Sequence, residues 1–112
     1  DYLMINQTLK LLDLYDKNIG DAGVKYLCDA LCTNTSLTFL DLGDNNIGDE
    51  GAKYISVVLA TNSALIYLDL CYNYIGDAGA KCLSDALATN TTLTRLSLAG
   101  NDISSSISSS SC

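Results

Sequence analysis

The feature that most constrains this chain is a repeat of fixed length. Leu9, Leu37, Leu65 and Leu93 each open a unit, 28 residues apart with no insertion between them. The units read LKLLDLYDKNIGDAGVKYLCDALCTNTS, LTFLDLGDNNIGDEGAKYISVVLATNSA, LIYLDLCYNYIGDAGAKCLSDALATNTT and then LTRLSLAGNDI, after which the pattern breaks. A period of this size marks a solenoid: one unit is a single supersecondary element that cannot cover its own apolar face, and stacked units bury it in a continuous core.

Two periods coexist within each unit. In the first half, Leu40 and Leu42 alternate with polar or small residues, the signature of a strand with one face inward. In the second half, Ala52, Ile55, Val58 and Leu59 fall at i, i+3, i+6 and i+7, which is one stripe of a helix. Val24, Leu27, Ala30 and Leu31 repeat that stripe one unit earlier, and Ala80, Leu83, Ala86 and Leu87 one unit later. Asp21, Asp49 and Asp77 stand where each helix begins and are expected to cap its free N–H groups. Asn34, Asn62 and Asn90 stand where each helix stops, a place for a left-handed residue. A second asparagine column, Asn45, Asn73 and Asn101, lies at the turn that leaves each strand. There a carboxamide can pair backbone groups that the turn leaves unsatisfied, so these three are expected to form a structural ladder. The first unit has Lys17 at that place and Asn18 one residue later, which is expected to weaken the ladder at that end.

The pattern LxxLxLxxNxIGDxGAxxLxxAL, nearly unbroken over residues 37–59 and 65–87, resembles the ribonuclease-inhibitor-like class of leucine-rich repeats. That class includes ribonuclease inhibitor, the sensor ends of nucleotide-binding leucine-rich-repeat receptors, GTPase-activating proteins for Ran and tropomodulin-like actin regulators. The resemblance implies an α/β solenoid, curved, with a parallel β-sheet on the concave face and α-helices on the convex face. It also implies that the concave face binds protein. Residues 1–103 form the repeat domain, about three full repeats with partial ones at each end, and 104–112 form a Ser-rich tail, linker or degenerate last repeat. Asp1-Tyr2-Leu3 aligns with Asp29-Ala30-Leu31, so the chain opens inside a helix, and it reads as a fragment or a member of a longer array. Self-association through uncapped ends is the other way to cover them.

Residues that point out of the strands define the concave surface. One column runs Leu11, Phe39, Tyr67, Arg95 and the next Asp13, Asp41, Asp69, Ser97, with Asp16, Asp44, Tyr72 and Gly100 at the strand exits. Phe39, Tyr67 and Tyr72 are expected to form one aromatic group framed by Asp41, Asp44 and Asp69, with Arg95 at its end. Aromatic anchors in a polar surround are common at interface centres, and the acidic frame suits Lys or Arg from a partner. The plainer account of the aspartates is that LDL belongs to the repeat itself. On the convex side Lys25, Lys53 and Lys81 form a column that reads as a solvated helix face.

Composition narrows the function classes. Six basic and thirteen acidic residues give a net charge of −7, which repels phosphate backbones and anionic lipid, so neither nucleic acid nor membrane is an expected partner. With no histidine, neither a His-dependent triad nor a His-bearing zinc site can be built, and no Gly-rich phosphate motif occurs. The chain is expected to be non-enzymatic, with no metal and no cofactor. Five cysteines, Cys28, Cys32, Cys71, Cys82 and Cys112, are odd in number and follow no disulfide framework, consistent with reduced thiols in a cytoplasmic protein. Asn6, Asn34 and Asn90 open N-glycosylation patterns that would be modified if the protein were secreted. Three functions remain open: a protein-interaction scaffold, a regulator of an enzyme similar to the Ran GTPase-activating proteins or ribonuclease inhibitor, and spacer repeats of a larger receptor-like protein. Arg95, the only arginine, leaves little charge to offer to phosphoryl transfer in trans.

Overall fold

The computed structural model describes residues 7–104. Strands and helices alternate along them: Leu11–Asp13 (β1), Gly20–Leu31 (α1), Phe39–Asp41 (β2), Asp49–Leu59 (α2), Tyr67–Asp69 (β3), Asp77–Leu87 (α3) and Arg95–Ser97 (β4). The strands form one parallel sheet in the order β1-β2-β3-β4. Register is in phase with the repeat: Leu12, Leu40, Leu68 and Leu96 are direct neighbours. Pairing continues past the three-residue strands, as in Leu42 N–H to the Asp69 carbonyl at 2.8 Å and Asp44 N–H to the Cys71 carbonyl at 2.9 Å. This is the leucine-rich repeat solenoid that the sequence pattern implies.

Between sheet and helices lies a single core. Leu37, Leu40, Leu42, Ile47, Ala52 and Leu59 of the second unit, and Leu65, Leu68, Leu70 and Ile75 of the third, are almost wholly shielded. Each buried leucine side chain is worth about 1.5–3 kcal/mol over leaving it in water, and the fixed period delivers several per unit.

Helix capping differs from the expectation. Asp21 does not cap α1. Its Oδ1 accepts the N–H groups of Gly48 (2.8 Å) and Gly51 (3.1 Å), at the start of the next helix. Asp49 does the same for Gly76 (2.7 Å) and Gly79 (3.0 Å), and Asp77 reaches Ser104 N–H at 2.7 Å. The cap crosses the repeat boundary because stacking places the first turn of one helix against the N-terminus of its neighbour. Glycine is needed where the aspartate approaches: a Cβ on Gly51 would lie 2.5 Å from Asp21 Oδ1 and 2.6 Å from Ile47 Cγ2.

The helix C-termini also depart from expectation. Their capping residues Cys32, Ala60 and Ala88 are right-handed, and the left-handed non-glycine residues lie instead in the strand-to-helix turns, at Asp16, Asn18, Asp44, Asn46 and Tyr72. Asn34, Asn62 and Asn90 build the following turn. Asn62 Oδ1 accepts from Ala64 and Leu65 N–H at 2.8 and 2.9 Å, while its Nδ2 donates to the Leu31 carbonyl of the preceding helix at 3.3 Å. Asn90 repeats this, with Nδ2 to the Leu59 carbonyl at 2.7 Å. The side chain closes the last turn of the neighbouring helix, which removes the need for a left-handed cap.

In the strand-exit ladder, Asn73 Oδ1 accepts from Asn45 N–H (2.9 Å) and Ile47 N–H (3.0 Å), and its Nδ2 donates to the carbonyls of Leu42, Leu70 and Cys71. Asn45 pairs Lys17 and Ile19 N–H in the same way at 2.9 and 3.2 Å, and Asn101 Oδ1 takes Ile75 N–H at 3.0 Å. Every rung serves the preceding unit. Lys17 therefore does not weaken the rungs between described units, because the turn of the first unit is paired by Asn45. The expected helical start at residues 1–3 and the Ser-rich segment beyond Ser104 lie outside the described residues.

Candidate functional site

Leu11, Phe39, Tyr67 and Arg95 are aligned by strand register on the sheet face away from the core. Phe39 and Tyr67 stack, with ring centroids 4.6 Å apart and planes inclined by 21°. The Arg95 guanidinium lies over the other side of the Tyr67 ring, 5.4 Å from its centroid. The column thus runs from an exposed leucine, through two stacked and half-buried rings, to an exposed cation. Rings in offset stacks and cations over ring faces are each worth about 0.5–1.5 kcal/mol beyond simple burial, so these contacts favour the observed arrangement of Phe39, Tyr67 and Arg95.

Beside it runs the acid column. One oxygen of each aspartate is committed to its own turn: Asp13 Oδ1 accepts from Tyr15 N–H (3.0 Å), Asp41 Oδ1 from Gly43 N–H (2.8 Å) and Asp69 Oδ1 from Cys71 N–H (2.9 Å). This gives LDL a structural reason and leaves the second oxygen outward. On Asp69 that oxygen accepts the Tyr67 hydroxyl at 3.1 Å, and the same hydroxyl lies 3.4 Å from Ser97 Oγ. Loss of solvent holds the Asp41 carboxyl above its ordinary value; the Gly43 N–H pulls it down, and the flanking Asp69 and Asp13 charges push it up again.

Tyr72 stands apart from the other two aromatics. It occupies the left-handed region with φ 58°, and its ring covers Gly100, where any Cβ would collide with it. Tyr15 lies over Gly43 in the same manner, one column inward. The Tyr15 phenol is held above its ordinary value by lost solvent and then by the charges of Asp44 and Asp16, with Tyr72 a further contributor. Tyr72 and Asp44 therefore belong to an outer rim with Tyr15, and Phe39 and Tyr67 form a pair without Tyr72. The separation follows the chain: Tyr72 lies three residues past the end of β3, on the exit loop, whereas Phe39 and Tyr67 open their strands.

A hollow of about 460 Å³ at the start of the strands is lined by Phe39, Ile66, Tyr67, Thr94 and Arg95. Ile66 and Thr94 were not picked out by sequence reasoning. The available signal was an isoleucine at the second place of LxxLxL, where the other units carry Lys10, Thr38 and Thr94; Ile66 is 48% exposed.

Elsewhere the chemistry is quiet. Burial holds the Cys28 thiol up to about 12, and burial with the Asp69 carboxylate holds Cys71 up to about 11, so both are protonated at neutral pH and poor nucleophiles. No group of three or more metal-ligating side chains occurs among the described residues. Of the three glycosylation patterns, that at Asn6 lies outside the described residues; Asn34 is 2% exposed and the Asn90 amide donates to two carbonyls, so both side chains are engaged in the fold. On the convex face the Lys25 ammonium lies 6.0 Å over the Tyr54 ring, and Lys81 pairs with Asp85 at 3.2 Å, with both side chains in solvent. No helix among the described residues is long and apolar enough to cross a membrane.

Comparison with known proteins agrees with this geometry. The leucine-rich repeat family profile matches residues 6–28, 33–56, 61–84 and 89–107, and the chain belongs to that family. No curated protein matches it at the level of sequence. Among solved structures it is similar to leiomodin-1 actin-binding site 2, at 23% identity and a TM-score of 0.78, covering 88% of this chain and 58% of that one. It is likewise similar to the tropomodulin C-terminal domain of Caenorhabditis elegans, at 15% identity and a TM-score of 0.78, covering 86% and 58%. The chain thus spans 58% of the length of each, and at these identities the likeness is one of fold.

Proposed function

We propose that this chain is a non-catalytic protein-binding solenoid that engages a protein partner through its concave sheet. The observation that carries this reading is the Leu11–Phe39–Tyr67–Arg95 column, an ordered, partly exposed aromatic and cationic stack bordered by carboxylates. A rigid aromatic pair loses little conformational freedom when buried, and residues of this type dominate binding energy at protein interfaces. With four strands the surface is small. Its affinity rests on the central anchors rather than on area.

The test is capture from a cell extract by the parent chain and by a Phe39→Ser/Tyr67→Ser variant, matched for folding by urea denaturation. A partner retained by the parent and lost from the variant supports the reading. Equal capture by both, or none by either, discards this surface and favours spacer repeats. Because one of the similar structures is an actin-binding site, cosedimentation with purified actin is the first defined partner assay. Binding that vanishes in the same variant would make actin the ligand of this face.

A further inference from the structure

The pairing of the two columns says more about the occupant. Across the first three units the sheet presents Leu11, Phe39 and Tyr67 beside Asp13, Asp41 and Asp69. At the fourth unit both columns change character together, to Arg95 and Ser97. The surface is therefore acidic along three strands and cationic at the fourth. Among the described residues none of these four charges lies within 4.0 Å of an opposite charge; the one such pair is Lys81–Asp85, on the convex side. Three like charges in adjacent strands repel one another, a cost that a row of partner cations would remove.

Spacing selects the shape of that partner. Neighbouring strands are about 4.8 Å apart, so four strands present a column about 14 Å long. An α-helix laid across the strands rises about 5.4 Å per turn and offers one side chain of a given row per strand, drifting by only about 2 Å over that length. An extended segment repeats a face every ~6.7 Å and falls out of step by about 6 Å over the same three gaps. Resting on the concave-face reading above, we infer that the occupant is an amphipathic α-helix lying across the strands. Its apolar stripe sits on the Phe39–Tyr67 stack, a flanking row of Lys or Arg lies over Asp13, Asp41 and Asp69, and an acidic side chain meets Arg95. The hollow between Ile66 and Thr94 takes one apolar side chain of that stripe. Because the carboxylates lie on one flank and the cation ends the apolar column, the surface reads the order of charges along the helix as well as their number.

A synthetic helix of about 14 residues tests this with the full chain. Its leucine stripe carries lysines on one flank of three successive turns and gives way to a glutamate within the stripe at the fourth; a control of the same composition scatters the charges around the helix. In fluorescence anisotropy the striped peptide should bind at least roughly tenfold tighter than the control, with an affinity that falls as salt rises. The Asp41→Asn/Asp69→Asn variant should lose that preference. Asparagine keeps the oxygen that accepts the Gly43 and Cys71 N–H groups, so the turns hold. Arg95→Glu should weaken the striped peptide, and replacing its glutamate by lysine should restore binding. Equal affinity for both peptides, no binding of either, or a preference that survives the aspartate substitutions would overturn the inference. If proteins captured through Phe39 and Tyr67 stay bound to the Asp41→Asn/Asp69→Asn and Arg95→Glu variants, the charged-helix inference fails and the interface stands. If capture ignores the aromatics, the interface itself fails.

Discussion

The first and second units carry nearly the same pattern and sit in different surroundings. Leu40 and Leu42 are each 1% exposed, whereas Leu12 and Leu14, at the same places one unit earlier, are only half-buried. Ile55 is buried and its counterpart Leu27 is not fully so. Asn73 pairs buried N–H groups of the second unit, while Asn45 pairs partly buried ones of the first. The leucines compared are the same residue type at the same phase, so the difference shows that burial in this fold belongs to the contact between units. A repeat supplies the leucines and its neighbours supply the cover.

The largest test of that contrast is Leu40→Ala against Leu12→Ala. The first should cost about 2–5 kcal/mol in urea denaturation and the second roughly half as much, because less burial is lost and the space opens toward water. Equal losses would break the comparison. Next is Asn73→Ala, expected to cost about 3 kcal/mol because two buried N–H groups lose their acceptor at roughly 1–3 kcal/mol each; Asn45→Ala should cost less, since water can reach Lys17 N–H. Hydrogen exchange at Ile47 and Ile19 would locate the damage.

A smaller effect separates two glycines at the same phase. Gly51→Ala meets both Asp21 Oδ1 and Ile47 Cγ2 and should cost about 1–3 kcal/mol. Gly23→Ala meets only the side chain of Ile19, at 2.5 Å, which lies in the more open first unit and can yield, so its thermal midpoint should fall less. The smallest effect concerns charge. Because the folded carboxyl of Asp41 is held above its ordinary value, ionising it favours the unfolded chain. Stability associated with its protonated form is fully present below the ordinary carboxylate range and lost as pH rises through the folded value. Asp41→Asn should therefore raise the urea midpoint slightly at pH 7 and leave it unchanged at pH 3; a lower midpoint at pH 7 would contradict the raised value.

Much of this architecture is legible along the chain. Equal spacing of Leu9, Leu37, Leu65 and Leu93 forces units to stack in phase, because any other register would turn the leucines of one unit away from those of the next. That in turn places Phe39 beside Tyr67 and Asp41 beside Asp69 without knowledge of any coordinate. The sequence alone also yields the strand and helix halves of each unit, from periods of two and of 3.6 residues. What it could not yield are contacts whose partner lies about 28 residues away in a direction the pattern does not mark. Asp21 caps the helix of the following unit, Asn62 and Asn90 close the last turn of the preceding one, and Asn73 pairs the turn before it. The direction of each bond is set by how one unit stacks on the next. Tyr72 shows the same limit: its place in the repeat predicts a concave ring grouped with Phe39 and Tyr67, but the residue sits on the exit loop in the left-handed region and its ring lies on Gly100. Periodicity determined which residues are neighbours, and only the tertiary structure decided which atoms of those neighbours meet, because a hydrogen bond or ring contact depends on ångström-scale geometry that a one-dimensional spacing does not contain.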